Sequence, residues 1–466
     1  KPFINVNLSF KSFLPKNLNE NISKKIINHW IKTLKENPHL HDKIEFDVAV
    51  TCFSFDINDK IKNLLPSIKK KYLNKFIELK KNNFKNYFSQ SCKSNFENIE
   101  KKIELLEELQ TDFKIHKNYN KNISEIKKAM NNCIKFGAIP FAQSARHAFI
   151  SVSLLKSMIK MKILSKAKVN KFEKSFETIT LKFLKDINKV ALKKMSKNSF
   201  FSKYGHLRPG TYNLLSKNYR EMKQINFVKQ NFKLFKKKNI FSVSDLNKID
   251  ATLDKNKLDE IKSSELLNYI STFISYREYS KFVFTKNVNF ILELIQHLGL
   301  QKKLKKKDLV YLRWNEILQK KNKREYLQLI QKRKIEHKNN LKVKLPEIIL
   351  DSSAVDVIPY IFNVPNYITS LRVRAEVKNL DGKIKGNLKN CIVLVTNADP
   401  GYDWIFARGI KGLITQYGGA NSHMAIRCAE LGIPAAIGCG EKKFEEIIKS
   451  NFIELDCSSN TLKLIS

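Results

Sequence analysis

Apolar and polar positions change period along the chain, and each change predicts a different kind of element. In Phe3-Ile4-Asn5-Val6-Asn7-Leu8-Ser9-Phe10 the apolar residues fall mostly at every second position, and Ile44 to Phe53 repeats that alternation. A period of two predicts half-buried strands. A helical pattern from Ile22 to Lys35 separates the two, so residues 1–60 are expected to form a small αβ element. From 61 to 345 the pattern is helical. Leu64, Ile68, Tyr72 and Phe76 recur at four-residue spacing, and Ile103, Leu106 and Leu109 at three, each set on one helix face. Pro and Gly gather at a few breaks, notably Gly137-Ala138-Ile139-Pro140 and Tyr204-Gly205-His206-Leu207-Arg208-Pro209-Gly210. The charged runs 301–307 and 333–342 read as solvated loops, the second leading into the next domain.

After Pro346 the pattern alters again. β-Branched runs alternate with turn residues and short helical stretches, the signature of a compact α/β unit over residues 346–466. A strand at Ile392–Thr396 leads to Asp399 and Pro400, a helix N-cap followed by a good first helical residue. A helix to Arg408, a strand at Gly412–Thr415, a helix from Asn421 or Ser422 to Leu431 and a short strand at Pro434–Ile437 follow. The expected fold class is multidomain α+β: a largely helical N-terminal region, then a compact α/β domain.

Composition narrows the function classes. No run of eighteen apolar residues exists, so no membrane span is expected. The seven cysteines (Cys52, Cys92, Cys133, Cys391, Cys428, Cys439 and Cys457) form no CxxC pair and stand apart from clustered histidine. That pattern argues against a disulfide framework and a zinc site, and fits a reducing cytoplasm. The net charge is +42, and residues 351–466 hold 13 Lys and Arg against 12 Asp and Glu, so nearly all of the excess lies in residues 1–350. The lysines are dispersed and lack interleaved aromatics, so they read as solvated helix faces and nucleic acid is not expected as a partner. The start, Lys1-Pro2-Phe3, resembles no signal peptide and reads as the middle of a longer protein.

One stretch carries chemistry: Thr415-Gln416-Tyr417-Gly418-Gly419-Ala420-Asn421-Ser422-His423-Met424-Ala425. A strand ends, two glycines turn the backbone, and a helix begins whose unpaired first-turn N–H groups favour phosphate. A histidine there has a ring nitrogen able to attack phosphorus and hold the phosphoryl group. The positive helix end favours the neutral, nucleophilic imidazole. Thr415 and Ser422 offer hydroxyls to phosphate oxygens.

The pattern Thr-x-x-Gly-Gly-x-x-Ser-His-x-Ala, with Ile426, Ala429, Gly432, Ile433, Pro434, Ala435 and Gly438 behind it, resembles the mobile phosphohistidine domain of the phosphoenolpyruvate-utilising enzymes. That group includes phosphoenolpyruvate synthase, pyruvate phosphate dikinase and rifampicin phosphotransferase. The resemblance implies a swivelling β/β/α domain in which His423 is phosphorylated and Thr415, Gly418, Gly419 and Ser422 shape the phosphate pocket. Asp399-Pro400-Gly401-Tyr402 is similar to the family's Asp-Pro-Gly turn. The 43 residues beyond His423 are too few for the barrel that follows this domain in the first two enzymes, so the rifampicin phosphotransferase order is the nearer one. Two helical segments resemble that order's substrate region: Tyr204 to Tyr212, and Arg277-Glu278-Tyr279-Ser280-Lys281-Phe282. His206, Arg208 and Arg277 then ring an anionic acceptor site, or else form a Pro/Gly loop and a buried Arg–Glu pair. Arg146-His147 reads as an ordinary helix start after Pro140.

The resemblance implies a phosphotransferase using ATP and Mg²⁺, but no Gly-rich phosphate loop with lysine and no carboxylate cluster for Mg²⁺ is present, so neither is expected to bind this chain alone. The expected partners are an N-terminal ATP-binding domain, in the same polypeptide or another, and a small-molecule phosphoryl acceptor. The domain is expected to swivel about residues 340–350. The alternatives are a stand-alone phosphocarrier subunit and a basic helical nucleic-acid module with a degenerate histidine domain.

Overall fold

A computed structural model describes residues 4–88, 90–222, 240–343, 345–346, 348–349, 364–380, 387–420 and 422–465. Its N-terminal region is helical, and the expected strands at the start are helices instead. Residues Val6–Phe13 form a helix capped by the Asn5 side chain, and Ile44–Val48 a single π-turn. The alternation misled because the buried positions are spaced helically. Phe10 is fully buried edge-on against Trp30 (ring centroids 5.4 Å) and Phe13 packs beside it, whereas Leu8 is 66% exposed. Val48, Ala49 and Val50 are buried consecutively, which no half-buried strand would give. The helix over Glu20–Glu36 matches its pattern.

The scaffold of the helical region is a 39-residue helix, Ser263–Gln301, about 58 Å long at 1.5 Å per residue. It packs along Ile139–Lys160, which begins with Pro140 in its first turn. Gly137 lets the two approach: a Cβ there would lie 2.6 Å from the Phe284 Cβ. The run 333–342, expected as a loop, lies largely in the helix Lys323–Asn340. An Asn322/Glu325 capping box starts that helix, and Arg333 pairs with Glu316 at 2.5 Å. At 301–307 the chain loops only over 302–305 before the short helix Lys306–Leu309.

The C-terminal region is a mixed seven-stranded sheet, ordered β1-β5-β4-β3-β2-β6-β7. The strands are β1 (Asn366–Ile368), β2 (Arg372–Asn379), β3 (Ile392–Asn397), β4 (Gly412–Tyr417), β5 (Ala435–Ile437), β6 (Phe452–Asp456) and β7 (Thr461–Ile465). β2 to β5 run parallel, while β1, β6 and β7 pair antiparallel at the edges. β3 reads as continuously apolar because both its faces are buried. Ile392 and Leu394 face Phe444 and Ile447 of the helix Glu441–Ile448. Val393 and Val395 face Trp404, Met424 and Cys428, and through them Phe183, Tyr204 and Tyr219 of the helical region. One hydrophobic core is therefore shared between the sheet and the helices, and it positions the site described next.

Candidate active site

The His423 loop follows the local rules of its sequence. β4 ends at Tyr417, Gly418 takes φ +139°, and Ser422 caps the helix His423–Leu431 by accepting from the Ala425 N–H. Gly432 ends that helix in the left-handed conformation. A side chain at Gly418 would lie 2.7 Å from the Ala398 Cβ, and one at Gly419 would lie 3.2 Å from the Asp42 carbonyl oxygen. Asn421 lies outside the described residues. The Thr415 hydroxyl, expected to face phosphate, is fully buried: it donates to the Tyr417 carbonyl (3.1 Å) and accepts from the Gly438 N–H (3.0 Å).

His423 faces the helical region and sits in a dense polar network. Its Nε2 donates to Asp403 Oδ1 at 2.6 Å, and Arg427, one helical turn on, places Nε 3.3 Å from the same nitrogen. The Arg427 guanidinium is fully buried and donates to Glu430 (2.6 Å), to Glu278 of the long helix (2.7 Å) and to Thr178 (3.4 Å). Thr180 donates to the other Asp403 oxygen at 3.2 Å. Burial lowers the His423 pKa, and Arg427 adds to this against the pull of Asp403, so the ring is held neutral. For Asp403 burial pushes upward, but the adjoining His423 and Arg427 outweigh it and keep the carboxylate ionised.

Opposite His423 lies a narrow cavity of about 30 Å³ that His206, Arg208, Glu278, Lys281 and Asp403 also line. Of the three helical residues singled out from sequence, the fold brings His206 and Arg208 to this cavity. Arg277 is instead directed at the Phe149 ring, 5.6 Å from its centroid. His206 is 8% exposed and bonds the Phe282 carbonyl through Nε2, leaving Nδ1 without a partner. Arg208 bonds Asn289 and the Ser216 carbonyl, and its buried Nε has no partner. The buried Glu278 pairs with Arg427 of the helix His423–Leu431. Sequence reasoning passed over Asp403, Glu278, Lys281 and Arg427. Spacing was the available signal, since Lys281 follows Arg277, and Arg427 follows His423, by the four residues that share a helix face.

The Asp-Pro-Gly turn also has a place. Asp399 accepts from the Gly401 N–H (2.8 Å), the Thr211 hydroxyl (3.0 Å) and the Thr211 N–H (3.2 Å). Tyr219 donates to the Gly401 carbonyl at 3.0 Å. The turn thus seats on the loop after His206, so two segments singled out separately in the sequence meet. Asn366 bonds Asp42, and Lys43 bonds the Val364 carbonyl, at a second seam.

Residues 387–460 match the family model described as "PEP-utilising enzyme, mobile domain". Over those residues the chain carries the mobile domain of the PEP-utilising enzymes. A rifampicin phosphotransferase of Bacillus cereus is 29% identical over 203 residues, covering 40% of this chain and 22% of that protein. The chain therefore spans about a fifth of the length of that relative. Both matches lie within a phosphotransferase family. Among the described residues, no helix is long and apolar enough to cross a membrane.

Proposed function

We propose that this chain is part of a phosphotransferase in which His423 carries the phosphoryl group from a donor to a small-molecule acceptor. The observation that carries the reading is the Asp403–His423 pair, both partners buried, at the mouth of a cavity whose far wall is cationic. As a ring nitrogen attacks, an N–P bond forms and the donor's P–O bond breaks. The ring gains positive charge, which the ionised Asp403 stabilises as the orienting carboxylate does in a triad. A second displacement moves the phosphoryl group to an acceptor oxygen and regenerates His423, so the kinetics are ping-pong.

The unpartnered Nε–H of Arg208, with the Lys281 ammonium, suits a phosphoryl group on the helical side. The cavity has room for only one or two waters. Donor and acceptor must therefore reach His423 with the C-terminal region swung away, which supports a swivelling role. ATP and Mg²⁺ would be held by an ATP-binding domain, in the same polypeptide or a separate chain. Among the described residues no group of three or more His, Cys, Asp or Glu side chains could hold a metal ion, and no step here runs through one.

The full-length protein incubated with ATP radiolabelled in its β- and γ-phosphates should take up acid-labile, base-stable label. The His423→Ala variant should take up none, and label persisting in that variant overturns the proposal.

A further inference from the structure

A second cavity, of about 380 Å³, lies in the helical region and plays no part in the chemistry above. Phe13, Phe84, Tyr87, Phe141 and Phe149 supply much of its wall. Its basic side chains, Lys80 and Arg146, outnumber its one carboxylate, Glu45. Lys80 is only 5% exposed and donates to the carbonyl oxygens of Phe13 and Thr51, the second at 2.7 Å. That leaves one ammonium N–H beyond those two carbonyls. Arg146 is exposed at the rim and has no carboxylate within ion-pair distance among the described residues. A cavity of this size, mostly aromatic with a few convergent polar groups, has the make-up of a small-molecule site. Its excess cations set the sign of the ligand.

We propose that this cavity binds a small molecule with a flat apolar body and one anionic group. The ring system would fill the space between Phe84, Phe141 and Phe149, and the anion would lie between Lys80 and Arg146. The proposal is independent of His423. Burial draws the Lys80 ammonium down to about 7, with Cys52 opposing and Arg146 adding to the shift. An anion entering beside it would restore its charge and take up a proton at pH 8. Glu45, the one carboxylate of the lining, opposes anion entry, and the Cys52 thiol and the Tyr87 hydroxyl are the other titratable groups there.

The test uses 1-anilinonaphthalene-8-sulfonate as the probe, titrated into the intact chain by fluorescence and by calorimetry at pH 8 in two buffers of different ionisation enthalpy. Saturable one-to-one binding with proton uptake is expected. Ala142→Trp, at the exposed rim, should weaken it at least tenfold without lowering the melting temperature. Lys80→Met should weaken it about tenfold and abolish the proton uptake. N-phenyl-1-naphthylamine, the same rings without the sulfonate, should bind at least tenfold more weakly. Equal binding of the uncharged probe overturns the anionic assignment, and undiminished binding to Ala142→Trp overturns the site.

Discussion

Replacing Arg427 by methionine tests whether one buried cation holds the C-terminal region against the helices. The Arg427 side chain has no exposure and sits among Glu278, Glu430 and Asp403, whose side chains are 5%, 13% and 6% exposed. Methionine matches the length of the aliphatic stem but leaves three carboxyl groups facing one another without their shared cation. Removing one partner of a buried pair typically costs about 3–5 kcal/mol, because the remaining charge is neither solvated nor paired. Burial already pushes the Glu430 carboxyl upward against the pull of Arg427, so part of the cost is met by protonation there. An expected loss of about 3 kcal/mol is a large share of the 5–15 kcal/mol typical of a domain. Glu278→Gln alone should be destabilising, yet far less so in the Arg427→Met background, giving a coupling of about 1–3 kcal/mol. Urea titrations followed by circular dichroism supply the four corners of the cycle. Hydrogen exchange should also quicken in the helix His423–Leu431 of the single variant. A loss below about 1 kcal/mol, or additive single effects, would refute a pair closed between the two regions.

Two further outcomes follow from the same geometry. A side chain at Gly401 would overlap the Arg208 carbonyl, so Gly401→Ala should part the Asp399 turn from its seat. The Thr211 amide, which donates to Asp399, should then exchange at least tenfold faster; unchanged protection would show that the seam adapts. The second concerns pH. Burial draws His206 down to about 3 and His147 to about 4, so both are neutral in the fold, whereas the unfolded chain protonates them below about 6.5. Their contribution is complete above pH 6.5 and is lost as pH falls towards those values. At pH 5 each costs about 2 kcal/mol. The drop in urea midpoint from pH 7 to 5 should shrink in His206→Asn, and a midpoint that does not fall with pH contradicts the burial of both rings.

The C-terminal strands and the His423 loop were legible because local rules suffice for them. Val393 and Ile414 sit in short β-branched runs, Asp399 and Ser422 cap the turns that follow, and Gly409 and Gly432 end helices in the left-handed conformation. At residues 3–10 two periodicities compete over eight positions. Packing of Phe10 on Trp30, twenty residues away in sequence, decides for helix, and no local pattern encodes that choice. The partners of His423 were hidden for a related reason. Asp403 and Arg427 are near it in sequence, but their roles depend on Thr180 and Glu278, brought over by helices that lie far earlier in the chain. Thr415 is the converse case. Its residue type suits a phosphate pocket, yet the sheet uses its hydroxyl to tie β4 to the Gly438 turn.

Bulk electrostatics does not explain how the two regions stay together, since residues 351–466 are nearly neutral and almost all of the +42 charge lies before them. The attachment is local and uses the same residues as the proposed phosphoryl transfer. Arg427 touches His423 on one side and Glu278 on the other, and Asp403 orients His423 while accepting from Thr180. The contact between the two regions therefore completes the polar shell of the histidine, around a cavity of about 30 Å³; in the proposed swivelling cycle, access to it needs that contact broken. Closure and access thus oppose each other at one set of contacts. A variant that weakens the seam without touching His423, such as Gly401→Ala, should then speed exchange of small molecules at the histidine while slowing any step that needs the completed shell.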